Sequence, residues 1–86
     1  METTMARRDI SDKSRTAFQD DHRGWLIEVA AGYSIETDDW LVHAYVTRPG
    51  GEKEKIAVYE PHRHTFDEAV EHGFDSAVAY VDHFAD

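Results

Sequence analysis

Residues 40–51 read Trp-Leu-Val-His-Ala-Tyr-Val-Thr-Arg-Pro-Gly-Gly, and this stretch decides the fold. Trp40, Val42, Ala44 and Val46 fall on one side at a period of two, and Leu41, His43, Tyr45 and Thr47 on the other. Alternation sustained through β-branched and aromatic residues predicts a strand with one buried face. Arg48-Pro49-Gly50-Gly51 then ends it. Proline presets the first central position of a tight turn and glycine accepts the positive φ of the second, which is type II chemistry. The chain must therefore come back as a second arm. Lys53 to Tyr59 supplies it, with Ile56 and Val58 inward and Lys55, Ala57 and Tyr59 outward.

Upstream, Trp25-Leu26-Ile27-Glu28-Val29-Ala30 predicts another strand, joined to the first by a polar loop ending in Glu36-Thr37-Asp38-Asp39. Short connections favour an antiparallel meander. Downstream, Pro61 stops the third strand, and Thr65-Phe66-Asp67-Glu68 has the form of a helix capping box. Apolar residues then recur at spacings of three and four from Phe66 to Phe84, predicting one amphipathic helix over about residues 66–83. Gly73 interrupts the stripe without shifting its phase. The reading keeps the helix continuous and expects close contact with a strand at that glycine. The fold class is thus α+β: a three-stranded antiparallel β-meander packed against one C-terminal helix (β-β-β-α). Residues 1–21 are polar and are expected to be a disordered arm, with residues 22–86 forming a single domain.

The pattern Gly24-Trp25-x-Ile27-x-Val29, Trp40, Pro49-Gly50-Gly51, Thr65-Phe66-Asp67-x-Ala69 and Gly73-Phe74-x-x-Ala77-x-x-Tyr80-Val81-Asp82 resembles a group of small uncharacterised proteobacterial proteins of the Burkholderia type. The resemblance covers about residues 23–84. It implies a small bacterial protein of β-β-β-α arrangement and carries no activity with it.

Eighteen acidic residues against nine basic ones give 86 residues a formal net charge of −9. Such a surface repels phosphate backbones, so nucleic acid is the weakest of the expected partners, a binder shaped like a double-stranded-RNA domain being its only form. The chain has no cysteine, which removes disulfides, thiolate metal sites and a cysteine nucleophile. No apolar run is long enough for a membrane span or a secretory leader, so a cytoplasmic protein is expected. No cofactor fingerprint or catalytic motif stands in the sequence, and the expectation is a non-enzymatic protein.

Two candidate sites remain. His62 and His64, with Glu60 before them, could share a metal or small ligand from an extended segment, though no third ligand follows at a recognised spacing. The stronger candidate is the sheet face that a single helix cannot cover. It should carry Leu26, Glu28, Leu41, His43, Tyr45, Ala57 and Tyr59. Leu41, His43, Tyr45 and Tyr59 are the expected contacts for a protein partner or for self-association.

Overall fold

Among the described residues, six strands and one helix follow one another: β1 (Arg8–Asp9), β2 (Thr16–His22), β3 (Trp25–Ser34), β4 (Asp39–Thr47), β5 (Lys53–Ile56), β6 (His62–Arg63) and α1 (Phe66–Phe84). The computed structural model describes residues 7–13 and 15–85. Pairing is antiparallel throughout, in the order β1-β2-β3-β4-β5. Strand β6 pairs with Trp40 and Leu41 of β4, next to the part of β4 that β5 covers. The expected α+β class with a C-terminal helix on an antiparallel meander is what the chain forms. The expected count of three strands is not: the sheet is six-stranded among the described residues.

Two of the additional strands lie in the stretch read as an arm. Its residues 1–6 and Ser14 lie outside the described residues. The rest is tied down from both ends. Arg23 and Gly24 have φ of 53° and 84°. Two consecutive positive φ values make a two-residue type I′ hairpin turn, whose twist matches that of the flanking strands. The turn fixes His22 opposite Trp25, and the ladder continues to Thr16 opposite Ala31. Upstream of β1, Arg7 forks onto the Glu71 carboxylate of α1 at 2.5 and 3.2 Å and stacks over Phe74, 4.0 Å from the ring centre.

The second turn is the type II turn expected. Gly50 has φ 74°, and the Gly51 amide donates to the Arg48 carbonyl at 2.8 Å. The helix begins where its cap predicts: the Thr65 hydroxyl accepts from the Glu68 amide at 3.1 Å. It is continuous for 19 residues through Gly73. A Cβ at Gly73 would lie 2.5 Å from Val29 Cγ1 and 2.9 Å from Val42 Cγ1. The glycine is therefore the point where the helix backbone rests on the two central strands.

The core lies between α1 and one face of the sheet. Trp25, Ile27, Val29, Val42, Ala44 and Val46 meet Ala69, Val70, Phe74, Ala77 and Val81. Phe18, Trp40 and Phe66 close one end, with ring centres 6.0 Å apart for Phe18–Phe66 and 5.3 Å for Trp40–Phe66. Since side chains alternate along a strand, all residues between these on β3 and β4 face away from the helix. Among the described residues, no helix is long and apolar enough to cross a membrane.

Candidate functional site

The register assembles the uncovered face row by row. Arg8, Gln19, Glu28, Tyr45 and Lys55 form one row across five strands. Ala17, Ala30 and His43 form the next, and Gly32, Leu41 and His62 the one beyond it. Leu41, His43 and Tyr45 thus stand together on β4, as expected. Tyr59 does not join them. Strand β5 ends at Ile56, so the two-residue alternation that placed Tyr59 outward no longer applies. Tyr59 sits in the following loop, 81% exposed, with its carbonyl 2.6 Å from His72 Nε2 of the helix.

At the centre of the face is a group that a solvated sheet would not need. Glu28 is 7% exposed, the one charged side chain among the described residues that is buried. A lone carboxylate withdrawn from water would be strongly unfavourable. Here two cations compensate it. Arg15 Nη2 donates to Oε2, and Lys53 Nζ donates to Oε1 and Oε2 at 3.1 and 3.2 Å. The cations arrive from opposite sides, Arg15 from the turn before β2 and Lys53 from β5. Lys53 Nζ also lies 5.4 Å from the centre of the Tyr45 ring. Their own side chains remain 40% and 51% exposed. The clamp therefore buries the acid while leaving the bases at the surface.

Beside the clamp the face is hollow. A depression of about 700 Å³ is bordered by Lys13, Arg15, Ala30, Leu41, His43 and Tyr45. A smaller one of about 280 Å³ is bordered by Leu41, His43, Lys55, Ala57 and Pro61. The two share Leu41 and His43. The larger lies within the size range of small-ligand sites. Partial burial holds the His43 imidazole below its ordinary range, and the neighbouring Lys55 and Arg15 charges push it further in the same direction. His43 thus favours its neutral form more strongly than a free imidazole does.

The second candidate cluster is organised differently. His62 lies in β6, and its Nδ1 is 2.8 Å from Asp39 Oδ1. Asp39 also accepts from the Thr37 hydroxyl at 2.6 Å. That hydroxyl, and after it His62, holds the Asp39 carboxyl below its usual range. His64 is exposed beyond β6, and Glu60 sits in the preceding loop with φ 49°. Among the described residues, no three His, Asp or Glu side chains converge as metal ligands.

Arg15, Lys13 and Lys53 were not anticipated as part of the face. Arg15 and Lys13 fall in the stretch read as an arm, where no apolar periodicity marks them. Lys55 is read as outward from the sequence, and its two-residue spacing from Lys53 sets Lys53 on the same outer side of the strand. Comparisons with protein-family models, with curated proteins and with solved structures find no match for this chain.

Proposed function

We propose that the chain is a non-enzymatic protein-interaction module that engages its partner through the open face of the sheet, at Leu41, His43 and Tyr45. The observation that carries this reading is the buried Glu28, clamped by the surface cations Arg15 and Lys53, beside a hollow bordered by Leu41, His43 and Tyr45. An ordinary solvated sheet face favours Thr, Lys and Glu free in water. This one holds its central charge network in a fixed arrangement and leaves a concave apolar strip next to it. Tyrosine offers large contact area at low rotamer cost, and its hydroxyl tolerates water when the partner is away.

A photo-cross-linking residue placed at position 43 tests the proposal. It is expected to give a discrete adduct in cells, while the same residue at Ala79, exposed on the outside of the helix, gives none. The adduct should be lost in the variant carrying Leu41→Ala and Tyr45→Ala, provided its circular dichroism is unchanged. Equal yields from the two positions would mean the face has no privileged role.

A further inference from the structure

A protein with twice as many acids as bases has every opportunity to engage its cations, and most have a partner, five of them an acid. Arg7 holds Glu71, Arg8 lies 3.6 Å from Asp21, and Arg23 lies 3.3 Å from Asp82. Arg15 and Lys53 share Glu28. Arg48 and Arg63 have other partners instead of an acid: Arg48 stacks 4.9 Å over Trp25, and Arg63 Nη2 lies 3.2 Å from His72 Nδ1. That accounts for seven of the nine basic residues. The remaining two are Lys13 and Lys55, and both border the hollows on the open face, one at each end. Between them lies the apolar strip of Leu41 and His43 that the hollows share.

From this arrangement we infer that the partner on the open face is an extended acidic peptide segment, with carboxylates meeting Lys13 and Lys55 and an apolar side chain set over Leu41 and His43. The inference rests on the interaction reading above and specifies its partner. Lys13 belongs to the turn before β2 and Lys55 to β5. Lys13 precedes Thr16, whose row holds Ala31 and Val42, whereas Lys55 stands in the row of Tyr45, three residues further along β4. Three strand spacings of about 4.8 Å combined with that offset of about 10 Å set the two lysines at least roughly 17 Å apart, which five or six extended residues span. The acidic remainder of the molecule adds to the specificity, because a partner must present its carboxylates where the two lysines are.

Two other occupants fit less well. A second copy packed sheet face to sheet face would set lysine against lysine, with Glu28 already engaged by its own chain. Among the described residues, a nucleic acid would meet two uncommitted cations on this face, beside the Asp12 and Glu28 carboxylates, too few to neutralise a phosphate backbone.

The experiment is a two-dimensional NMR titration of the full chain with three blocked hexapeptides of one length: Glu-Asp-Leu-Phe-Asp-Glu, its Lys-for-acid counterpart and its Gln-for-acid counterpart. Only the acidic probe is expected to shift the amides of Leu41, His43, Tyr45 and Lys55 in a saturable way. Lys13→Glu and Lys55→Glu, both at exposed positions, should each weaken it roughly threefold to tenfold, the scale of reversing an exposed ion pair. Equal binding of all three peptides at these amides would overturn the inference while leaving the interaction face standing. Shifts at the same amides on simple concentration of the protein would overturn it in favour of a second copy, and shifts with a single-stranded oligonucleotide but none with peptide in favour of nucleic acid. Saturable binding of the acidic probe that neither lysine variant weakens would also overturn it.

Discussion

Gly73 and His43 show how much a single position decides. At an exposed helix position, alanine in place of glycine gains up to about 1 kcal/mol of helix propensity. Here the new methyl group meets Val29 and Val42 at distances no Cβ tolerates. Forced repacking of a close-packed core costs typically 1–3 kcal/mol. Gly73→Ala is therefore expected to destabilise the fold by a net amount of roughly 1–2 kcal/mol in urea unfolding; an increase in stability would mean the helix does not rest on β3 and β4. His43 acts through its proton. Burial, with Lys55 and Arg15 nearby, holds its folded-state pKa below the ordinary value. The unfolded chain therefore binds the proton more readily than the folded one, and stability falls as pH drops through the ordinary imidazole range near 6.5. The difference in unfolding free energy between wild type and His43→Gln should consequently move against the wild type between pH 7.5 and pH 5.5. A difference independent of pH would contradict the lowered imidazole pKa.

At the scale of elements, what the sequence showed and hid follows from how each element is held. Strand β4, the Pro49-Gly50 turn and α1 are held by apolar burial and turn chemistry, and both leave periodic traces that can be read residue by residue. Strand β2 is held otherwise. Its core-facing side carries Phe18 as its large apolar residue, among Thr16, Asp20 and His22. Its order comes from a ladder to β3, which exists only once β3 is in place, and from the Arg23-Gly24 turn, whose glycine reads equally well as the start of a domain. The Arg7–Glu71 contact joins residues 64 positions apart and has no local signature. The candidate surface divides in the same manner. Leu41, His43 and Tyr45 were legible from alternation on β4, whereas Arg15 and Lys13 depended on a hairpin with no apolar pattern. The placement of Tyr59 failed because nothing local marks the end of β5 at Ile56. Amide hydrogen exchange distinguishes a ladder-held strand from a loose arm. Interior amides of β2, paired to β3 along its whole length, should exchange more slowly than those of β5, a four-residue edge strand. The reverse order would show that β2 frays.

Across the whole molecule, charge and architecture are sorted together. Helix α1 carries Asp67, Glu68, Glu71, Asp75 and Asp82 and has neither lysine nor arginine. Its first-turn acids suit the positive end of the helix dipole. Asp82 near the other end is matched from the β2–β3 turn, where His22 Nε2 lies 2.7 Å away and Arg23 beside it. These contacts hold the Asp82 carboxyl below its usual range, His22 contributing most. The negative surplus thus gathers on the helix layer, while the uncommitted lysines lie on the opposite side of the sheet. A layer of about 10 Å, comparable to the Debye length at 0.1 M salt, separates the two. At physiological ionic strength a ligand at the open face consequently meets the local charges far more than the net charge of the molecule.

The meander order also sets how quickly the chain can find its fold. Every neighbour in the β2-β3-β4-β5 path is also a neighbour in sequence, so each ladder closes only a short loop: two residues between β2 and β3, four between β3 and β4 and five between β4 and β5. Closing short loops loses little chain entropy, and topologies rich in such contacts cross their folding barrier faster than sheets that pair distant strands. The costly step is the return of α1 onto β3 and β4. In stopped-flow measurements, truncating Val46, within the β3–β4 hairpin, should slow folding. Truncating Val81, at the far end of the helix, should mainly speed unfolding. Equal partition of the two effects would instead describe a barrier at which helix and hairpin are already joined.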